Sequence, residues 1–185
     1  RTLKEKDIPF LRRKLGVVFQ DFKLLNDRTI RGNLEFVLKA TGWKDKKGMD
    51  SKIDEVLDKV GMKTKAFKFP YQLSGGEQQR VAIARALVQK PEIVLADEIV
   101  SELDHVTARE IMDVLAEAQA TTKLTSIMVH HDLQLALEYA DRVAVIKEGK
   151  KILEIGVEGD RIVDFQSGNY AQREILEMFS SEPKE

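Results

Sequence analysis

Eight residues, Leu73-Ser74-Gly75-Gly76-Glu77-Gln78-Gln79-Arg80, open an alanine-rich helix, VAIARALVQK, which must stop before Pro91 because proline cannot continue it. Glycine carries no Cβ, so the backbone N–H groups of Gly75 and Gly76 can approach a ligand closely. The helix N-terminus adds partial positive charge, and the two features together suit an anion such as phosphate. As a bare tripeptide, Ser74-Gly75-Gly76 reads equally well as an ordinary N-cap. Next comes Ile93-Val94-Leu95-Ala96, a short apolar run closed by Asp97 and Glu98. A buried strand that delivers two carboxylates at its C-terminal end places them where α/β sheets bind ligands. An acidic helix cap after a strand is the ordinary alternative.

The rest of the chain repeats this alternation. Leu15 to Phe19 is apolar and reads as a buried strand ending at Gln20. Residues from about Thr29 to Lys68 look helical, with Ile53, Val56, Leu57 and Val60 on one face. Ser51 with Asp54 resembles a capping box at the start of that stripe, Gly61 is its expected stop, and Trp43 to Asp50 reads as a surface loop. Ile111, Val114, Leu115 and Ala118 again have helical spacing, Ser126 to Val129 reads as a third strand, and Asp132 can cap the helix LQLALEYA. Arg142–Ile146 and Lys151–Ile155 flank Glu148-Gly149-Lys150, a hairpin pattern. Strands alternating with helices predict an α/β fold with a mainly parallel sheet. His130 and His131 are neighbours, and adjacent strand residues point to opposite faces, so no shared metal is expected between them.

Composition removes several classes of function. With 30 Lys+Arg against 31 Asp+Glu the net charge is −1, unlike a protein that binds nucleic acid through bulk positive charge. The absence of cysteine excludes a disulfide framework, a thiolate metal site and a cysteine nucleophile. No apolar run approaches the ~18 residues of a membrane span, and the opening RTLKEKDIPF lacks a signal-peptide layout. The expectation is a soluble, cytoplasmic protein. The first residue is Arg1, which suggests a piece of something longer.

LSGGEQQR resembles the signature motif of ABC-type ATPases, and four further pieces follow in that family's order. IVLADE resembles a Walker B strand; Gln20 in GVVFQD, the Q-loop glutamine; Ser101-Glu102-Leu103-Asp104, the D-loop; and His131, the switch histidine. The resemblance runs from about Ile8 to Ile155. Its first half is most like the bacterial cell-division ATPase and its relatives in lipoprotein release and macrolide export. HHDLQLALEYADRVAVIKEGK is closer to phosphonate-importer ATPases.

The resemblance implies a P-loop NTPase-like (ABC ATPase) core with an inserted helical subdomain, truncated at the N-terminus. Its segments would be 1–29 with the Q-loop, 30–85 helical with the signature, 86–156 with Walker B, D-loop and switch histidine, and a tail, 157–185. The implied cofactors are ATP and Mg2+. Glu98 and His131 would be catalytic; Ser74, Gly75, Gly76, Gln20 and Asp104 would bind nucleotide or shape the subunit interface; Asp97 and Gln20 would serve the metal. The implied partners are a transporter or cell-division-type membrane subunit, facing Gln20 and the region from Ile30 to Phe69, and a second nucleotide-binding subunit, as a homodimer. Such a subunit works at the inner face of the cell membrane, and no nucleic acid is implied.

Some residues depart from the family pattern. Ile99-Val100 stands where Pro-Thr or Pro-Ser is usual, Glu102 replaces a small residue or Asn, His105 replaces proline, and His130 replaces Thr or Ser. No G-x-x-x-x-G-K-[ST] occurs; the one Gly-Lys pair is Gly149-Lys150, in the hairpin. A P-loop wraps phosphates with backbone N–H groups and a lysine. Without it the chain is expected to bind ATP weakly alone, and the sheet to keep exposed edges and uncovered apolar surface. Ala171, Ile175, Leu176 and Phe179 form a short apolar helical face in the tail. Two functions follow: an ATP-hydrolysing transporter subunit or a fragment of one, or a non-catalytic interaction module that cannot hold nucleotide.

Overall fold

Buried strands need helices against them, and the first part of the chain supplies helices on one side of its sheet. The computed structural model describes residues 4–158 and 161–167. The chain divides into two compact units that part between Val129 and His130. In the first, β1 (Leu15–Val18), β2 (Ile93–Asp97) and β3 (Thr125–Val129) form a parallel sheet in the order β1-β2-β3. The register sets Val17 beside Leu95 and Leu95 beside Ile127, so these three share a face, while Val18, Val94 and Ala96 lie on the other.

The helix that begins with the glycines, α4 (Gly75–Leu87), packs against β1. Gly16 is what allows this approach. A Cβ there would come 3.1 Å from the Ala86 carbonyl and 3.2 Å from Pro91 Cγ. Val18, Val94 and Ala96 are buried on this side. The other face is open: Val17 and Leu95 are 36% exposed and Ile127 is 54% exposed.

A short helix, α1 (Ile8–Lys14), precedes β1, and the helical stretch after β1 is two helices, α2 (Ile30–Ala40) and α3 (Lys46–Lys59). Ile30, Leu34 and Leu38 are buried along α2 at four-residue spacing, and Thr29 caps it by accepting from the Gly32 N–H. The reading of residues 43–50 as a loop is corrected. Asp45 accepts hydrogen bonds from the N–H groups of Lys47 and Gly48 and starts α3 there, which buries Met49 a turn earlier than the Ser51 cap allowed. Gly61, at φ +68°, does end the segment. Arg31 ties the two helices together through Asp50 and Asp54.

A long helix, α5 (His105–Thr122), buries Ala108, Ile111, Met112, Leu115 and Ala118. No helix among the described residues is long and apolar enough to cross a membrane.

The second unit holds α6 (Leu133–Tyr139), capped by Asp132 as expected, and an antiparallel sheet of β4 (Arg142–Lys147), β5 (Lys150–Glu158) and β6 (Arg161–Ser167). Glu148 and Gly149, at φ +52° and +73°, make the hairpin turn between β4 and β5. Leu153, Ile155 and Val157 form its core, with Leu137, Val143, Val145 and Ile152 against them. The sequence reading gave the region after residue 156 to a tail and missed that β5 runs on and β6 pairs with it. The proposed tail helix of Ala171, Ile175, Leu176 and Phe179 lies outside the described residues.

Candidate functional site

Parallel strands end on one edge, and the chemistry-bearing residues of the first unit gather there. Gln20 follows β1 by two residues, Asp97 closes β2, and Glu98 comes next. Glu98 has φ +46°, a left-handed backbone that costs a non-glycine residue roughly 1–3 kcal/mol in strained sites. Its N–H donates to the Val129 carbonyl at 3.1 Å, fastening the end of β2 to the end of β3. Its own carbonyl accepts from the Ser101 N–H at 3.2 Å and from Ser101 Oγ at 2.9 Å. The Glu98 backbone is therefore held from both sides. Ile99 and Val100, which stand in place of the usual family residues, are each only 5% exposed and anchor the turn by burial.

Gln20 reaches the same turn. Its Nε2 donates to Glu102 Oε1 at 3.1 Å, and its amide oxygen, with no hydrogen-bond partner among the described residues, can accept or ligate. Asp104 has a local job. Its carboxylate accepts from the N–H groups of Val106 and Thr107 and from Thr107 Oγ1 at 2.7 Å, and so caps α5. Those bonds, Thr107's first, hold the Asp104 carboxyl below its ordinary value.

Ser74 is the N-cap of α4 in a reciprocal capping box. Its Oγ accepts from the Glu77 N–H at 3.3 Å, and Glu77 Oε2 accepts from the Ser74 N–H at 3.0 Å. Gly75 and Gly76 are the first two residues of the helix itself. The N–H of Glu77 is taken by Ser74 and that of Gln78 by the Ser74 carbonyl, so the first-turn N–H groups of Gly75 and Gly76 are the ones left to meet an anion. The two glycines differ in purpose. A Cβ on Gly76 would sit 2.6 Å from Thr107 Cγ2, so α5 requires that glycine; a Cβ on Gly75 would meet nothing closer than 3.9 Å. The Cβ side of Gly75 is therefore open, while that of Gly76 is packed against α5. Hydrogen bonds from Lys65 and from the Ser74 N–H hold the Glu77 carboxyl below its ordinary value.

His131 lies in the second unit, two residues beyond β3. The rings of His130 and His131 stand edge to face at 5.9 Å, and His130 Nδ1 accepts from the Asp132 N–H. No group of three or more His, Asp or Glu among the described residues is placed to hold a metal ion.

Comparison with known proteins now identifies the architecture. The ABC transporter family matches residues 1–101. The chain belongs to the ABC transporter family. Over 148 residues it is 46% identical to the cell division ATP-binding protein FtsE of Bacillus subtilis, covering 80% of this chain and 64% of FtsE. Over 147 residues it is 39% identical to the methionine import ATP-binding protein MetN of Helicobacter hepaticus, covering 80% of this chain and 42% of MetN. The ABC transporter chain thus spans less than two-thirds of the length of these curated relatives. Among solved structures it superposes on MJ0796, a bacterial ABC transporter cassette solved as a dimer, with TM-score 0.75 at 34% identity, over 85% of this chain and 69% of that one. The α/β fold is that of ABC ATPase cassettes, and the resemblance of the first half to the cell-division ATPase agrees with the FtsE match.

Three residues of this ABC transporter chain that hold the site together were not singled out from sequence. Arg85, on α4, donates through its guanidinium to the carbonyls of Phe22, at 2.9 Å, and Lys23. Both have positive φ, 60° and 46°, so a half-buried arginine braces the strained turn that follows Gln20. Burial lowers the Arg85 pKa. Asn33, fully buried, accepts from the Leu25 N–H at 2.8 Å and donates to the carbonyls of Leu25 and Thr29 at 3.0 Å. Its signal was available: an asparagine beside Ile30 and Leu34 on the buried stripe of α2 requires partners. Glu102 was noted only as a departure, and its contact with Gln20 needed the fold.

Proposed function

We propose that this chain is the signature- and carboxylate-bearing part of an ATP-binding subunit that couples ATP hydrolysis to a membrane transport or cell-division partner. The observation that carries this reading is Glu98 in its left-handed turn beside Asp97 at the carboxyl edge of a parallel sheet. Mg2+ is usually bound by one or two carboxylates together with substrate phosphates, rather than by a closed protein cage. Asp97 and the amide oxygen of Gln20 fit such a partial shell. Mg2+ would supply charge neutralisation for the phosphates. Glu98 would orient the attacking water and take its proton as oxygen bonds to the γ-phosphorus and the bond to ADP breaks. The N–H groups of Gly75 and Gly76, with the positive end of α4, would receive phosphate oxygens, and His131 would contact the γ-phosphate. The phosphates of ATP would also require a P-loop, a motif the sequence does not contain.

The partners follow from the same reading. A dimeric relative supports pairing with a second nucleotide-binding subunit. Phe36, Phe67 and Tyr71 are 44%, 72% and 70% exposed in the region from Ile30 to Phe69 and just beyond it, a surface suited to a membrane subunit at the inner face of the cell membrane. The open sheet face supports a second reading, an ABC-type interaction module without nucleotide. Binding of a fluorescent ATP analogue to the whole chain with Mg2+ separates the two. Binding displaced by unlabelled ATP, with turnover abolished in Glu98→Gln, is expected for the first; no binding, and a melting temperature indifferent to Mg-ATP, would establish the second.

A further inference from the structure

At the opposite end of the sheet from Asp97 and Glu98, a cavity of about 480 Å³ opens between α3, the ends of α4 and α5, and the approach to β2. The 13 residues of α4 separate it from Gly75 by about 20 Å of helix, so it is not part of the candidate nucleotide site. Its volume lies in the range of small-molecule pockets. Val56, Leu87, Pro91 and Leu124 give it a buried apolar floor.

The charged groups at the rim sort into two kinds. Glu55 binds Lys52 with both oxygens at 2.9 Å and also Lys59 at 3.3 Å, while Glu92 binds Lys14 at 2.8 Å. Lys90 and Lys123 form no ion pair among the described residues. Both have φ +56°, just past the ends of α4 and α5, where glycine is the inexpensive residue. The helix dipole accounts for a cation near a C-terminus. It does not account for two lysines kept in left-handed backbone around one cavity. Thr121 and Thr122 donate their hydroxyls to the carbonyls of Glu117 and Ala118, a turn before the end of α5, and the Gln119 carbonyl accepts from the Lys123 N–H.

We propose that this cavity binds a compact organic dianion with an apolar body, an aromatic phosphomonoester or dicarboxylate, its charge held between Lys90 and Lys123 and its ring on the apolar floor. Occupation would bridge α3 to the ends of α4 and α5. The proposal stands apart from the nucleotide reading and survives its failure.

The test is titration of the whole 15N-labelled chain with phenyl phosphate, phenylsuccinate and inorganic phosphate, followed by amide chemical shifts. Saturable shifts at Val56, Lys90, Lys123 and Leu124 with at least one aromatic dianion are expected; which of the two binds tighter identifies the headgroup. The variant Lys90→Gly/Lys123→Gly is expected to bind at least tenfold more weakly while melting no lower than the parent, since glycine relieves both left-handed positions. Lys90→Arg/Lys123→Arg should retain binding. Shifts confined to Ser74–Gly76, no binding by either aromatic dianion, inorganic phosphate binding as tightly, or unchanged affinity in the glycine variant would each overturn the proposal.

Discussion

The two faces of the parallel sheet are built from the same kinds of residue and have opposite fates. Val18, Val94 and Ala96 are buried on the side of α4, while Val17, Leu95 and Ile127 keep a third to a half of their surface exposed. All-parallel sheets are normally covered on both faces, which is why their strands read as continuous apolar runs rather than alternating ones. The run Ile93-Val94-Leu95-Ala96 records that demand for both faces, yet the described chain meets it on one. An apolar stretch in a strand shows what a fold needs covered, and says nothing of whether the covering element is present.

Paired aspartates give the sharpest test of this contrast. Val94→Asp places a carboxylate on the covered face and is expected to abolish folding, a loss of at least several kcal/mol, seen as loss of the cooperative thermal transition. Leu95→Asp, one residue on, is expected to change stability by no more than about 1 kcal/mol and to reduce self-association in sedimentation velocity. Equal damage from the two would show that the open face is covered in solution. The covered side can also be loosened through its helix. Gly76→Ala forces a methyl against Thr107, and a loss of about 1–3 kcal/mol is expected by urea denaturation, whereas Gly75→Ala should be nearly neutral.

Smaller effects probe α4 from within. Both amide atoms of Gln79 are buried without a hydrogen-bond partner, so Gln79→Met should stabilise by about 1 kcal/mol, read as a higher melting temperature. The smallest effect is in acid. The Glu77 carboxyl is held below its ordinary value of 4.5, so its contribution is present above that value and lost as pH falls through the lower folded-state value. Glu77→Gln should therefore cost a few tenths of a kcal/mol at neutral pH and remove part of the acid limb of the stability profile below about pH 4.5. An unchanged acid limb would mean that the Lys65 contact is not maintained in solution.

Much of this was legible beforehand because it depends on near neighbours in the chain. The Asp132 cap, the glycine stop at Gly61, the hairpin at Glu148-Gly149 and the strand ending in Asp97 and Glu98 all need residues only a few positions apart. Where local reading failed, two local signals competed or one was weak. Asp45 and Ser51 are both good caps, and the burial of Met49 decided for Asp45. β6 carries Asp164 and Gln166 among its apolar residues, and only pairing with β5 makes it a strand.

The order of the motifs, the periodicity of the helices and the placing of two carboxylates after a buried strand were determined by the sequence alone. Each follows from backbone geometry and solvent preference within a short window. Only the tertiary structure decided that Glu98 turns left-handed between Val129 and Ser101, that Arg85 braces the turn after Gln20 across 62 and 63 positions of sequence, and that Gly76 is glycine on account of Thr107. Those outcomes depend on which distant atoms arrive within a few ångströms, and no local pattern encodes that distance.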